Sequence, residues 1–244
     1  MKWRTSISEK RGEEQFVRGY SLKGLMASAS FAEATFLLMR GAMPTKEEAT
    51  LFNAMLVACI EHGVEPPSAF MARVAASTGN AMNAALASGV LAISEFHGGA
   101  IEAAALLLQS EKSATQIVAE AKAAGTFIPG LGHKVYKDVD PRADFLFKKA
   151  EELRIASSFC AKEKEIQEEL VATGVTLPIN IDGALAALMS DMGFDWRLGK
   201  ALFILGRLPG MIAHAHEEMV NEKPYRRISP EDIEYIGPPP HDEV

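Results

Sequence analysis

Pro129-Gly-Leu-Gly-His133-Lys-Val-Tyr-Lys-Asp-Val-Asp140-Pro-Arg142 sets a glycine-broken segment, a histidine and an Asp-Pro-Arg triplet within one short stretch. With Gly125 ahead of it, Gly125–Gly132 contains Pro129 and three glycines and does not continue a helix. Glycine at this density marks a loop whose backbone comes close to something. Asp140-Pro141 then reads as a helix start, since Asp accepts from orphan amides and proline fits the first turn. That helix is expected from Arg142 to about Ala156.

Outward from this stretch, helical periodicity dominates and strand-like alternation is almost absent. Leu22–Leu38 carries an apolar surface wide enough for one buried helix or two short ones. Thr45-Lys-Glu-Glu48 spells a capping box, in which the Thr hydroxyl and the Glu carboxylate satisfy free amides. The helix it opens is expected to reach about Glu61 and stop at His62-Gly63. Between Ser68 and Ile93 small residues crowd together, which predicts a tightly packed central helix pair. Another helix is expected after Gly98-Gly99, carrying Ile101, Ala104, Ala105 and Leu108. Downstream, Lys162–Ala172 reads as a charged helix on an exposed face. Pro178 precedes Asn180-Ile181-Asp182-Gly183, and apolar helices follow over about Ala184–Met192 and Leu198–Asn221. The end, Gly237-Pro238-Pro239-Pro240, reads as an extended tail with no part in the core, and no internal repeat is present. The fold class this predicts is all-α.

Composition narrows the function. The 244 residues are 48% apolar and 23% charged, the balance of an ordinary globular protein. A formal charge of −7 argues against a nucleic-acid partner, which would need a basic face, and leaves room for local basic pockets holding a small anion. Cys59 and Cys160 are the two cysteines; they fit a reducing compartment better than a secreted scaffold, with a single disulfide left open. Met1-Lys2-Trp3-Arg4 leads into polar residues rather than an apolar signal core, and no apolar run approaches the ~20 residues of a membrane span. A cytoplasmic protein with no membrane partner is expected.

Polar side chains recur beside helix-breaking glycines: Glu61-His62-Gly63, Phe96-His97-Gly98-Gly99, Gly132-His133-Lys134, Asp140-Pro141-Arg142 and Asn180-Ile181-Asp182-Gly183. Taken singly, a histidine before glycine is more often a helix cap than a ligand, and an Asp beside glycine is usually a turn residue. His214 and His216, near a helix end, read as capping or surface groups, and no Cys/His spacing suggests a metal site.

Order and combination change that weighing. The run Pro129–Arg142 closely resembles the signature of citrate synthases. His97-Gly98-Gly99-Ala100 resembles the preceding His-Gly segment of that superfamily, Asn180-Ile181-Asp182 its later Asn-x-Asp, and Tyr235-Ile236-Gly237-Pro238 its ending. The likeness extends from about Arg4 to Pro238. The chain is much shorter than ordinary citrate synthases, and in that it resembles free-standing citryl-CoA lyases and the citrate-synthase-like module of ATP-citrate lyase. Ser6-Ile7, Arg11-Gly12 and the Tyr225-Arg226 region are similar to that module. His97 departs from it, because the module has an aromatic residue there and synthases have histidine.

The resemblance implies a large helical domain, residues 1–108 and 180–244, with a small CoA-binding domain, 109–179, that closes over the ligand. It makes Asp182 the base at the thioester α-carbon, His97 the donor to the thioester oxygen, and His133 the group that protonates the 2-oxo acid carbonyl. Arg142 and Arg207 match arginines that clamp carboxylates, and His62 matches a histidine that contacts the oxo acid. Arg226 matches an arginine reaching across from the other subunit of a homodimer, with Arg227 its competitor in register. The loop Pro129, Gly130, Leu131 and Gly132 would hold the adenine of coenzyme A by backbone contacts, with Lys134 or Lys137 at the phosphates. Helices around Ala69–Ile93 fit the dimer interface of that superfamily and fit a monomer core equally well.

Such roles suit the chemistry. A free carboxylate titrates near ~4 and burial raises that by several units, still far below a thioester α-proton. A base alone cannot suffice, so the thioester oxygen needs a donor, whose loss typically costs about 3–4 kcal/mol in the barrier. Small multi-carboxylates call for planar bidentate arginines. The expected activity is that of a citryl-CoA lyase, releasing acetyl-CoA and oxaloacetate. The alternatives are a citrate or 2-methylcitrate synthase running the condensation, and a helical CoA-binding subunit without catalysis.

Overall fold

The structure is a computed structural model that describes residues 2–239; Met1 and Pro240, the last residue of the predicted tail, lie outside it. Among the described residues are eleven α-helices and one small sheet. The sheet, antiparallel strands β1 (Ser8–Arg11), β2 (Glu14–Val17) and β3 (Tyr20–Ser21), is a departure from the strand-free expectation. Its first strand is wholly exposed, so no alternation of buried residues announces it in the sequence.

Leu22–Leu38 folds as two short helices, α1 (Leu22–Ser28) and α2 (Phe31–Arg40), the second opened by a Ser30–Glu33 capping box. The Thr45–Glu48 box opens α3 (Lys46–Ala58), which ends three residues before Glu61. The small-residue run forms α4 (Pro67–Ser77) and α5 (Met82–Leu91). A Cβ at Gly89 of α5 would lie 2.7 Å from the Ser68 carbonyl oxygen, so only glycine permits that approach. Next come α6 (Ala100–Leu108) and α7 (Ala114–Ala124); a Ser113–Gln116 box and a left-handed Gly125 bound α7. α8 (Pro141–Glu152) starts at the Asp140 cap as expected. α9 (Ser158–Ala172) is charged but not simply exposed, because Cys160, Glu163 and Ile166 face the core.

α10 (Ile181–Asp191) is the axis of the fold: every residue from Gly183 to Ser190 is buried. It packs against α6, α8 and α9, while α11 (Gly199–Asn221) lies across α3, α4 and α5. One continuous core runs from α2 to α11 and includes residues of the 109–179 segment such as Ile117, Leu146 and Ile166. Truncating Leu185 at its centre would cost about 2–5 kcal/mol. Cys59 and Cys160 are both free and buried, which settles the open disulfide. No helix of the described residues is long and apolar enough to cross a membrane.

Candidate active site

Asp140, at the N-cap of α8, is fully buried. Its Oδ1 accepts from the backbone N–H of Arg142 at 3.0 Å and from Arg142 Nε at 3.0 Å. Its Oδ2 accepts from Arg142 Nη2 at 2.7 Å and from the amide of Ile181 at 3.1 Å. One carboxylate therefore caps α8, aims a guanidinium and ties down the first residue of α10. Burial pushes its pKa up, but the bonds from Arg142 outweigh that and hold it below the usual carboxylate range.

Asn180 stitches the glycine loop to the same helix. Its Oδ1 accepts the amides of Asp182 and Gly183 at 2.9 and 3.1 Å, and its Nδ2 donates to the Gly132 carbonyl at 2.8 Å. Backbone bonds Asn180 N to Gly130 O and Gly132 N to Pro178 O complete a short ladder. The loop glycines have left-handed φ, and a Cβ on Gly130 would lie 2.8 Å from the Gly183 Cα. The close approach that the loop demanded is thus first of all to α10.

This framework brings His62, His97, His133, Arg142, Asp182 and Arg207 to one cavity of about 570 Å³. Asp182, in the first turn of α10, has no donor on its carboxylate among the described residues. Burial raises its pKa to about 6, against the pull of Arg142 and Arg207 and with the push of Asp140. His133 Nδ1 accepts from the amides of Val135 and Tyr136, both at 3.0 Å. With Nδ1 accepting, Nε2 is the nitrogen left to carry the ring proton once a ligand oxygen takes the place of its 3.3 Å contact with the Arg142 Nη2 donor. His97 sits in a turn closed by paired backbone bonds with Ser94, and its Nε2 meets Ser68 Oγ at 2.8 Å. Burial, then the charge of Arg207 and the neighbouring His62, lower its pKa and keep it neutral near pH 7. His62 contacts Arg142 Nη1 through Nε2, and burial with the charges of Arg207 and Arg142 lowers its pKa as well.

Arg207 enters from α11, only 2% exposed, with Nε donating to the Cys59 carbonyl at 2.7 Å and the guanidinium over Phe203. Gly206 and Gly210 flank it and let α11 press against the end of α3. Gly132 and Lys134 line the cavity, whereas Gly130 and Leu131 are buried behind it and Pro129 borders a different, apolar recess. Lys137 donates to the carbonyls of His133 and Lys134 and so braces its own turn. Arg226 is not brought to the cavity within one chain: it pairs with the buried Glu218 at 2.8 Å, while Arg227 is exposed. His214 is neither a cap nor a free surface group; it lies within α11 and pairs with Glu61 at 2.9 Å. The sequence reading missed Asp140 as a hub and Ser68 as the partner of His97. An Asp-Pro N-cap reads as a cap whether or not it also holds an arginine, and Ser68 lies unremarked in a small-residue run.

The family described as citrate synthase, C-terminal domain, matches residues 44–229. The citrate/2-methylcitrate synthase of Bacillus subtilis is 31% identical over 225 residues, 89% of this chain and 58% of its own length. The chain thus spans little more than half of that relative. Among solved structures, citryl-CoA lyase from Hydrogenobacter thermophilus superposes with a TM-score of 0.94 at 44% identity, covering 99% of this chain and 97% of the other. ATP citrate lyase from Methanothrix soehngenii, solved with citrate and coenzyme A, gives a TM-score of 0.85 at 27% identity over 98% of this chain and 42% of its own. The chain belongs to the citrate synthase family.

Proposed function

We propose that this chain is a citryl-CoA lyase, interconverting citryl-CoA with acetyl-CoA and oxaloacetate. The observation that carries the reading is the meeting of His97, His133 and Asp182 with Arg142 and Arg207 around a single cavity. The near end-to-end likeness to a citryl-CoA lyase supports the lyase over the synthase.

In the condensing direction Asp182 takes a proton from the thioester α-carbon, and the charge that moves to the thioester oxygen is met by His97. A Ser68 hydroxyl that donates to Nε2 leaves the His97 proton on Nδ1, where it would serve that oxygen. The enolate carbon attacks the oxaloacetate carbonyl, whose oxygen receives the Nε2 proton of His133; the proton gained by Asp182 balances the one given up. Cleavage retraces these steps: the hydroxyl proton returns to His133, the carbon–carbon bond breaks, and Asp182 reprotonates the carbon. Arg142, Arg207 and His62 hold the carboxylates, and Lys134 faces the phosphates of coenzyme A. The same reading has residues 109–179 closing over the ligand, Pro129–Gly132 against the adenine, and a cytoplasmic homodimer in which Arg226 or Arg227 reaches the partner's site.

A second reading, a citrate or 2-methylcitrate synthase, is favoured by the histidine at position 97 and by the named relatives near 30% identity. Incubating the purified chain with citryl-CoA, and separately with acetyl-CoA and oxaloacetate, distinguishes them. Rapid formation of acetyl-CoA from citryl-CoA is expected. Fast release of free CoA in the second reaction with citryl-CoA untouched would remove the lyase.

A further inference from the structure

We propose that Glu61 and His214 are positioning residues, a polar strut that sets His62, and through it Arg142, where a substrate carboxylate would lie; this rests on the function proposed above. His214, midway along α11, donates from Nε2 to Glu61 Oε1 at 2.9 Å. The same oxygen accepts the amide of His62 at 2.8 Å and that of Gly63. Gly63 has a φ of +84°, so the chain turns there in a way an L side chain resists. The turn delivers His62 Nε2 onto Arg142 Nη1, while Arg142 is gripped from behind by Asp140. A continuous path of bonds therefore runs from α11 to the guanidinium in the cavity.

Two further features separate this pair from an ordinary surface ion pair, which contributes little. Gly210 lies one turn before His214 on the same face of α11, and a Cβ there would collide with Glu61 Oε2 and the Ile60 carbonyl. The helix thus keeps a gap for the Glu61 side chain. His214 Nδ1, moreover, is buried without a partner. A desolvated, unpartnered polar nitrogen costs free energy that a phenylalanine or leucine filling the same space would avoid. Burial pushes the Glu61 pKa up, but the bonds from His214, Gly63 and His62 outweigh it and keep the carboxylate ionised. Neither residue lines the cavity, so the pair reaches a ligand through residues that do, and the bonded route is through His62.

The test is steady-state kinetics in the condensing direction, where the two substrates vary separately. For His214→Ala the KM for oxaloacetate should rise about tenfold, with kcat and the KM for acetyl-CoA within about threefold of wild type. His214→Gln, which can still donate to Glu61, should recover most of the loss, and Gly210→Ala should reproduce it. An unchanged oxaloacetate KM, or equal changes in both KM values, overturns the proposal. Should His214→Ala fail to fold by circular dichroism, Glu61→Gln decides in the same assay: a selective rise of about threefold upholds the strut and none overturns it. Should wild type turn over neither way, the proposed function fails, and calorimetry with oxaloacetate decides for the strut. Weaker binding by the folded variant then upholds it; equal affinity, or no binding by wild type, overturns it.

Discussion

Asp182, Arg142 and His133 enter the cavity from a wall whose polar groups are bonded to one another through Asp140 and Asn180. His97 enters on a separate element, the Ser94–Gly98 turn, where one side-chain bond, to Ser68, holds the ring and the adjacent Phe96 is 98% exposed. In the proposed reaction the first wall meets the carboxylates and the reacting carbons, and the second meets the thioester. A site that must hold small, highly charged groups gains most from donors fixed in advance, since reorganising them would consume the electrostatic benefit. The thioester brings a long coenzyme with its own contacts, and its side of the cleft can be completed by the ligand. Substitutions in the two walls should accordingly have unequal effects.

The largest effect is expected at Asp182. Asp182→Asn should lower turnover by about 10³-fold or more while leaving coenzyme A affinity within a few-fold. A protein whose rate is unchanged does not use Asp182 as its base. The same variant should be more stable than wild type at neutral pH. Because the folded-state pKa is raised from 3.8 to about 6, the folded chain binds more protons than the unfolded one in that window. Stability therefore falls as pH rises through it, and removing the charge should restore about 1–3 kcal/mol above pH 6. Denaturant titration at pH 3.5 and pH 8 would show the advantage in full at pH 8 and little of it at pH 3.5. The rate of condensation should rise with pH through about 6 as Asp182 ionises, and that limb should vanish in any residual activity of the variant.

Asp140→Ala comes next. It leaves Arg142 unpaired and the amide of Ile181 without its acceptor, so a loss of about 3 kcal/mol in stability is expected, with turnover down more than tenfold. Thermal unfolding would register this as a drop of several degrees; an unchanged midpoint would mean that the wall is not held from this point. Ser68→Ala, in the looser wall, should cost only about three- to tenfold in turnover and about 1 kcal/mol in stability. A loss as large as that at Asp140 would erase the distinction between the walls.

How far the sequence carried these conclusions differs by wall. The helix starts at Thr45 and Asp140 were legible because caps are local, the accepting residue and the donating amides lying two or three positions apart; the Asn180 cap was not read, and the helix expected from about Ala184 starts at Ile181. The six groups around the cavity were legible through family resemblance and not through spacing, since His62, His97 and Arg207 are far apart in the chain and carry no mutual pattern. What stayed hidden was long-range pairing. Nothing in the sequence tells that Asp140 reaches Ile181, that Ser68 faces His97, or that His214 faces Glu61. The charge-rich α9 misled for a related reason: Glu163 is buried without a hydrogen-bond partner and its pKa is pushed up to about 8, a state that composition cannot distinguish from a solvated carboxylate. The exposed N-terminal sheet lacks the buried alternation by which strands are recognised.

A crystal structure of the chain with coenzyme A and oxaloacetate decides whether His97, His133 and Asp182 meet one pair of substrates. The oxaloacetate carboxylates are expected against Arg142 and Arg207, its keto oxygen within hydrogen-bond reach of His133 Nε2, and the coenzyme sulfur between His97 and Asp182. Both ligands bound outside this cavity, or oxaloacetate seated there with His133 and Asp182 turned away from it, would rule out the proposed site.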